Sequence, residues 1–411
     1  MSNKLPNKNF CIIPWIHLNT WPNGNVFQCC ITDYRNHIGN LRDNSIKEIW
    51  NNDYMKNLRQ ELLDDKQPSS CHKCYEQEAN GIKSFRNAAN KNFNNHMHLA
   101  EKTKDDGSTD FNLIYWDFRF SNLCNMKCRM CGGHLSSMWN KDELDLYGKA
   151  SEPEIVVNTK DHSIDDLYQI LDEQIDYVEE IYFAGGEPLI MDEHYYILEK
   201  LIERKRFNVR LRYNTNLLKL EYKKWNNVEL WKHFDNVHVI SSLDALGDRA
   251  EYIRKGTVWN TVEANARTLL KQPNILFGIS PTINIFNIEH VPDFVQYMLD
   301  MGVTYDKMHL NNVLTNPPWY HIKILPKDIK QRIRQKFENH IASIQDTYTQ
   351  EDINNKYTSI LNFLDHECSE KELSYLRKKF KSVTGLLDNY RQEKFVDIVP
   401  EFKDFYEGIN E

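Results

Sequence analysis

The sequence predicts an α/β fold with a small cysteine-rich module before it and a helical extension after it. Between residues 113 and 311, short apolar stretches alternate with amphipathic ones, a pattern typical of parallel strands joined by helices. We predict strands near residues 113–120, 179–184, 208–214, 236–243, 275–285 and 305–311. Helices are predicted near residues 134–147, 192–205, 227–233, 259–271 and 290–301. The pattern alone does not distinguish an open doubly wound sheet from a barrel.

A chain of 411 residues is longer than a single hydrophobic core usually supports, so we expect several structural units. The predicted units are a cysteine-rich module over 1–89, a linker over 90–111, a core over 112–316 and a helical extension over 317–411. Charged stretches at 90–110 and 148–162 predict the linker and a surface insertion. Amphipathic stretches at 327–344 and 352–364 predict long helices in the extension.

Composition excludes several functional classes. The net charge of −8 and a pI near 6.0 give no basic surface for nucleic acid. The mean hydropathy of −0.65 predicts no membrane-spanning segment, and residues 1–10 show no apolar signal for export. Nine cysteines, most of them in metal-like spacings, favour a reducing compartment over a disulfide framework. We therefore expect a cytoplasmic protein.

Three cysteines form a compact run after the first predicted strand. Cys124, Cys128 and Cys131 have the spacing C-x3-C-x2-C, and no fourth cysteine lies nearby. Three thiolates can hold three corners of a [4Fe-4S] cube and leave one iron open to another ligand. A structural zinc site instead needs four ligands in two separated pairs. The run therefore predicts an iron-sulfur cluster with an open iron.

A second motif, Gly185-Gly186-Glu187-Pro188, follows the second predicted strand. Paired glycines at a strand end allow close backbone approach to a ligand, although alone they often mark only a tight turn. Together with the three-cysteine run, this segment closely resembles the radical S-adenosylmethionine superfamily. The resemblance implies a partial (β/α)6 TIM-like barrel, a [4Fe-4S] cluster whose open iron chelates S-adenosylmethionine, and a GGEP segment that holds the amino group of this cofactor.

The resemblance also implies an activity. In the family, reductive cleavage of S-adenosylmethionine produces a 5′-deoxyadenosyl radical that abstracts hydrogen from a substrate, with electrons from a donor such as flavodoxin or ferredoxin. We expect oxidation, epimerisation or cross-linking of a peptide or protein side chain. The alternative is modification of a sugar, nucleoside or small metabolite. A non-catalytic iron-sulfur electron carrier or scaffold is a third interpretation, against which the GGEP segment argues.

Polar residues at later strand ends are further candidates. In the family, such positions commonly reach the ribose and carboxylate of the cofactor, and here they are Asn214, Asn216, Ser241 and Asp244. Asn and Ser are also ordinary turn residues. Arg254 resembles an arginine that relatives place near the cofactor carboxylate, and its alternative is a surface salt bridge.

The N-terminal cysteines form a second constellation. Cys11, Cys29, Cys71 and Cys74, with Gly24 between the first two, resemble the auxiliary-cluster module called SPASM, or its shorter twitch form. The resemblance implies one auxiliary [4Fe-4S] cluster, and the alternative is zinc. Cys30 adjoins Cys29 in a strand-like stretch, so only one of the two should ligate easily, and the Gly-x4-Cys spacing favours Cys29. The remaining cysteine, Cys368, is interpreted as incidental.

Between the cysteine groups, Ser45 and Glu48 predict a capping box at the start of a helix. The apolar residues that share one face of this predicted helix are Ile46, Ile49, Trp50, Tyr54, Leu58 and Leu62. Such a helix would return the chain so that the second cysteine pair meets the first.

Overall fold

A computed structural model describes residues 6–79, 83–152, 165–345, 347–366 and 368–410. Its contacts divide the chain into two compact units. The first unit contains residues 1–123, 152–212 and 232–236, and the second contains residues 124–151, 213–231 and 237–411. Most of the predicted insertion, residues 153–162, lies outside the described residues.

The strands are short and follow the predicted alternation. In chain order they are β1 His17–Thr20, β2 Asn25–Phe27, β3 Gly39–Asn40, β4 Tyr115–Phe118, β5 Lys127–Cys128, β6 Glu180–Phe183, β7 Arg210–Thr215, β8 Glu221–Tyr222, β9 Trp225–Asn226, β10 Val237–Ser241, β11 Arg254–Lys255 and β12 Ile275–Ile279.

The helices are more numerous than predicted. They are α1 Ile46–Trp50, α2 Asp53–Leu63, α3 His72–Ala79, α4 Phe85–Asn92, α5 His98–Glu101, α6 Trp139–Tyr147, α7 Asp165–Gln174, α8 Asp192–Glu203, α9 Asn227–Trp231, α10 Gly247–Ile253, α11 Trp259–Leu270, α12 Val291–Met301, α13 Lys327–Ile344, α14 Gln350–Leu364, α15 Glu370–Arg391, α16 Phe395–Ile398 and α17 Lys403–Glu407.

In the first unit, the N-terminal module and the start of the core share one sheet. β1 pairs parallel with β4, and β4 pairs parallel with β6. β2 and β3 continue the sheet beyond β1 as antiparallel strands. The β1–β4 register sets Asn19 opposite Asp117, while Trp116 and Phe118 are buried on the other face because side chains alternate along a strand. The N-terminal module is thus continuous with the core sheet.

In the second unit, β10 pairs parallel with β12 over five residues. The end of β7 lies beside β10, because the amide of Ser242, directly after β10, donates to Thr215 O at 2.8 Å. β5 and β11 form a separate antiparallel pair. Together with the parallel pairs of the first unit, these strands confirm the predicted α/β class.

Two predicted strands are wrong in extent or kind. The strand predicted at 275–285 ends at Ile279, because Ser280 is followed by Pro281, which lacks an amide hydrogen for the ladder. The strand predicted at 305–311 is a short 3-10 helix, Tyr305–Lys307, with a single bridge from Met308 to Ile279. Helices α7 and α10 had no predicted counterpart.

The helix predicted after Ser45 is two helices. The capping box of Ser45 and Glu48 is confirmed, but α1 ends at Trp50 and Asn52 caps a new helix, α2. Tyr54 is therefore 40% exposed instead of buried, and Met55 takes the inward position. The other five residues of the predicted face, Ile46, Ile49, Trp50, Leu58 and Leu62, are buried.

The predicted linker contains helical structure. The boundary predicted between residues 89 and 90 lies inside α4, and α5 lies within 90–111. The C-terminal extension is helical as predicted, and α13 has the predicted bounds 327–344. Among the described residues, no helix has both the length and the apolar character needed to cross a bilayer.

Candidate functional site

The three-cysteine loop is held by backbone pairing within the second unit. Cys128 ends β5 and pairs with Arg254 of β11. The Arg254 Nη1 lies 3.7 Å from the Cys128 Sγ. The Cys131 amide donates to Cys128 O at 3.0 Å, and the Trp139 indole N–H donates to the same oxygen at 3.0 Å. This turn therefore fixes the backbone between the second and third cysteines.

Burial and a nearby cation act in opposite directions on the pKa values of these thiols. Burial raises the pKa of Cys128, and the nearby Arg254 guanidinium lowers it. Burial, together with repulsion from the neighbouring Cys128, raises the pKa of Cys131 to about 12. Without a bound metal both groups are neutral thiols, so cluster binding must displace their protons. Arg254 then compensates part of the thiolate charge that results.

The glycine pair lies in the first unit, where it packs tightly against the backbone just before the cysteine loop. A Cβ added to Gly186 would lie 2.1 Å from Leu123 O and 2.7 Å from Leu123 C. The Glu187 amide donates to the same Leu123 oxygen at 2.7 Å. Gly185 has a φ of +114°, a conformation that few residues other than glycine adopt. Gly186 is therefore required by backbone contact at Leu123, which directly precedes Cys124 in sequence, and Gly185 is required by its backbone conformation.

Glu187 and Pro188 complete this segment. The Glu187 side chain is 1% exposed and accepts a hydrogen bond from the Leu189 amide at 3.1 Å. Pro188 begins a 3-10 helix, Pro188–Ile190, where its fixed φ is favourable. The Glu187 carboxylate thus caps the turn that follows the glycines, so its described contact is structural.

Four N-terminal cysteines surround one cavity in the first unit. Its lining includes the side chains of Cys11, Cys29, Cys71 and Cys74. Burial raises the pKa of Cys11 well above its usual range, and repulsion from the other three thiols raises it further. Cys30 does not line this cavity; after burial, the largest influence that raises its pKa is the Asp117 carboxylate. The structure therefore separates Cys29 from Cys30.

Two comparisons with protein families identify these constellations. Residues 11–75 match SPASM, an iron-sulfur cluster-binding domain, and residues 118–298 match the radical SAM superfamily. The chain contains a radical SAM superfamily domain. Its SPASM domain precedes the radical SAM core, as the cysteine spacing predicts.

Other similar proteins span only part of this radical SAM chain. An uncharacterised protein of Methanocaldococcus jannaschii is 27% identical over 192 residues, which are 45% of this chain and 58% of the relative. The crystal structure of Streptococcus suis SuiB bound to S-adenosylmethionine has a TM-score of 0.39 at 15% identity and covers 71% of this chain and 64% of SuiB. A variant of spore photoproduct lyase with bound AdoMet and dinucleoside spore photoproduct has a TM-score of 0.30 at 14% identity, covering 60% of this chain and 74% of that one.

The residues of this radical SAM chain fit the cofactors of its superfamily, a [4Fe-4S] cluster and S-adenosylmethionine. The core supplies three buried or half-buried thiols within eight positions, Cys124 to Cys131. It also supplies a glycine segment whose closeness to Leu123 tolerates no side chain. The SPASM domain supplies four thiols around one cavity, as an auxiliary cluster requires.

The candidates at later strand ends have different surroundings in the second unit. The Asp244 carboxylate is buried and binds the Arg254 guanidinium at 2.7 and 3.0 Å. It also accepts the Thr282 amide at 2.8 Å. Arg254 is therefore in a buried ion pair, not the surface salt bridge that the sequence left open. Because the Arg254 guanidinium also lies close to the Cys128 Sγ, the Arg254–Asp244 pair contacts the three-cysteine loop.

The remaining candidates are Asn214, Asn216 and Ser241. The Asn216 amide donates to Asn125 Oδ1 at 2.7 Å, so Asn216 is tied to a residue inside the three-cysteine loop. The Ser241 hydroxyl is buried, and among the described residues it has no hydrogen-bond partner. Asn214 lies half-buried in β7. The cofactor roles predicted for these residues stay predictions.

Sequence reasoning missed two groups of charged residues. Arg86 and Lys73 line the four-cysteine cavity, and Arg129 is buried inside the three-cysteine loop. Arg129 adjoins Cys128 in sequence, so its position could have suggested a role. Its partners could not be found from the sequence, because they lie more than 250 residues away, at Asp388 and Glu393.

Proposed function

We propose that this protein is a radical SAM enzyme that reductively cleaves S-adenosylmethionine and modifies a peptide or protein side chain. The observation that carries the cleavage is the open set of three thiols, Cys124, Cys128 and Cys131, inside the region that matches the superfamily. When bound, the cluster and its cofactor supply a 5′-deoxyadenosyl radical, which abstracts hydrogen from the substrate.

The residues of the chain have distinct parts in this proposal. The three cysteines of the loop would hold a cluster through three of its irons and leave one iron open to the cofactor. Gly185 and Gly186 bring the backbone close enough to bind the cofactor amino group. The buried Arg254–Asp244 pair keeps a positive charge beside Cys128, where metal binding creates a thiolate.

We also assign an auxiliary [4Fe-4S] cluster to Cys11, Cys29, Cys71 and Cys74. Four thiols line the cavity, which leaves no iron of a cube without a protein ligand. A closed cube favours electron transfer over direct substrate binding.

The substrate class is inferred from the SPASM domain, since relatives that carry such a module commonly modify peptides or proteins. The second candidate is a sugar, nucleoside or small metabolite. We propose a flavodoxin or ferredoxin as electron donor, because cofactor cleavage requires a low-potential electron. A non-catalytic iron-sulfur electron carrier would not need a cofactor-binding glycine such as Gly186. Measurement of cofactor cleavage distinguishes this interpretation from an enzyme.

The test measures cofactor cleavage without substrate. Anaerobically reconstituted protein, reduced with dithionite, should convert S-adenosylmethionine slowly to 5′-deoxyadenosine. Cys128→Ala should abolish this conversion, because a cube with two protein ligands is not retained. Cys368→Ala is the matched control, since Cys368 lies outside both cysteine groups, and it should cleave at the wild-type rate. Fully loaded wild-type protein that never cleaves the cofactor would establish the carrier interpretation.

Substrate class is tested separately. A pool of short peptides and a pool of nucleosides and sugars are each incubated with the reduced enzyme, and the rate of 5′-deoxyadenosine formation is compared with the rate without substrate. Peptide modification predicts stimulation by the peptide pool and a mass change in one peptide. Stimulation only by the small-molecule pool would establish the second candidate.

A further inference from the structure

One charged side chain of the three-cysteine loop has no exposed surface. Arg129 lies between Cys128 and Cys131, and its side chain is 0% exposed. A buried guanidinium is costly unless it is paired and hydrogen-bonded. The partners of Arg129 therefore affect the loop that would hold the cluster.

Those partners come from the C-terminal extension. The Arg129 Nη2 lies 2.5 Å from Asp388 Oδ1 and 2.7 Å from Glu393 Oε2. Its Nε donates to Tyr252 O at 3.0 Å, and its guanidinium lies 3.6 Å from the centre of the Tyr252 ring. The residue is thus fixed by two carboxylates, a carbonyl and an aromatic face.

The two carboxylates are themselves held in place. Asp388 accepts the Tyr252 hydroxyl at 2.9 Å and the Phe395 amide at 2.7 Å. Glu393 accepts Lys255 Nζ at 2.6 Å, and Lys255 pairs with Lys127 in the β5–β11 ladder. Glu393 therefore connects the loop to β11, the strand that pairs with β5.

A second set of contacts joins the C-terminal end of α15 to the three-cysteine loop. Asp142 accepts Lys127 Nζ at 2.6 Å and Arg391 Nη2 at 3.0 Å. The Arg391 guanidinium lies 4.8 Å from the Trp139 ring, and the Trp139 indole binds Cys128 O. The end of α15 thus reaches the cysteine loop by two independent routes.

From these contacts we propose that residues 388–393 form a positioning device for the three-cysteine loop, with Asp388 and Glu393 as positioning residues. They keep the loop in the shape that retains the cluster, and their charge contributes to the reduction potential of the cluster. The inference rests on the proposed function, since it assumes that a cluster binds at Cys124, Cys128 and Cys131.

The charge contribution has a defined sign. Reduction adds an electron to a cluster that three thiolates already make negative, so positive charge nearby favours the reduced form. Asp388→Asn removes a negative charge and should raise the midpoint potential. Arg129→Met removes a positive charge and should lower it. If these residues have a purely structural role, the two substitutions should not shift the midpoint potential in opposite directions.

The experiment compares Asp388→Asn, Glu393→Gln and Arg129→Met with wild type and one matched control. The control is Glu401→Gln, because Glu401 of the same extension also pairs with a core arginine, Arg249, at 2.6 and 3.0 Å without contacting the loop. Each anaerobically loaded protein is incubated with a ferrous chelator. The cluster at the three-cysteine loop is followed by the EPR signal that changes when S-adenosylmethionine is added.

We expect Asp388→Asn and Glu393→Gln to lose this signal about tenfold faster than wild type, the usual scale for residues that orient metal ligands. Glu401→Gln should match wild type. Redox titration should give opposite shifts for Asp388→Asn and Arg129→Met, and circular dichroism of the iron-free proteins should show that the variants fold.

Equal loss in all variants, Glu401→Gln included, would overturn the inference, as would unchanged loss in both acid variants. Potentials that move in the same direction would overturn the electrostatic part. A wild-type protein with no signal that responds to S-adenosylmethionine would instead overturn the proposed function together with this inference.

Discussion

Asp117 is a buried carboxylate with little compensation. Its side chain is 0% exposed, and the nearest cation, Arg119 Nε, lies 3.7 Å from Asp117 Oδ1. Burial raises the pKa of Asp117, and Arg119 offsets only part of that shift. An acid whose pKa is raised by folding contributes stability only while it is protonated, and that contribution is lost as pH rises through its folded pKa.

Asp117→Asn should therefore raise the midpoint of thermal unfolding at pH 7. The gain should diminish as pH falls and disappear below the usual pKa of an aspartate, about 3.9, where wild type is protonated in both states. Thermal unfolding between about pH 3 and 8 measures the effect. A lower midpoint for the variant at pH 7 would show that the Arg119 contact outweighs the cost of burial.

Gly186 offers a second prediction at this scale. In Gly186→Ala the new Cβ meets the Leu123 backbone, which cannot rotate away as a side chain would. We expect affinity for S-adenosylmethionine, measured by equilibrium dialysis, to fall at least about tenfold, or roughly 1.4 kcal/mol. Iron content should be unchanged. Gly385→Ala is the control, because only Tyr406 Oη comes near its added Cβ, at 3.6 Å; equal affinity in both variants would contradict the cradle.

At the scale of elements, Asn52 divides one predicted helix into two. Its Oδ1 accepts the Met55 amide at 3.0 Å, and its Nδ2 donates to Ile38 O at 2.8 Å. The side chain therefore starts α2 and also attaches it to the chain before α1. This double use explains why the helical pattern of the sequence breaks at residue 51.

Asn52→Ala should lower the free energy of unfolding of this module by about 1–2 kcal/mol, from one lost cap and one lost hydrogen bond. Hydrogen exchange of peptides that cover α2 should show the loss directly. Ser45→Ala, which removes only a cap at an exposed helix start, should cost about 1 kcal/mol or less. A larger loss for Ser45→Ala than for Asn52→Ala would contradict the double role.

For the whole molecule, two cysteine groups predict two cubes. Reconstituted protein should contain about eight irons and eight sulfides, and replacing Cys124, Cys128 and Cys131 by alanine should leave about half. Replacing both Cys71 and Cys74 by alanine should also leave about half but keep cofactor cleavage, since that reaction needs only the core cluster. Elemental analysis with the 5′-deoxyadenosine assay measures both. Four irons with one zinc in wild type would contradict the auxiliary cube.

Local spacing made much of this molecule predictable. The three-cysteine run, the GGEP segment and the capping box at Ser45 each lie within a few residues, so the sequence alone could single them out, and the family resemblance implied the cofactor chemistry of the first two. The strand predicted at 305–311 failed because local hydrogen bonds compete with the ladder: the Lys307 amide donates to Thr304 O, and Thr304 Oγ1 donates to Asp306.

Long-range pairing could not be predicted. Nothing in the sequence joins Arg129 to Asp388, because opposite charges are frequent and most are solvated. For the same reason, the sequence did not decide whether Arg254 lies near the cofactor carboxylate or in a surface salt bridge. Its burial against Asp244, 10 residues before it, follows from the β5–β11 ladder, and a two-residue strand has no recognisable pattern.

The distance in sequence between Arg129 and its acids also has a consequence for synthesis. The four cysteines assigned to the auxiliary cluster, Cys11, Cys29, Cys71 and Cys74, all precede residue 75, whereas Arg129 and Asp388 are separated by 259 positions. Chains are translated from the N-terminus, and early segments can fold first. The ribosome therefore releases a complete auxiliary ligand set long before the core loop gains its buried counter-ions. We expect iron-sulfur assembly to proceed in the same order, with the core cluster inserted only after translation has passed Glu393.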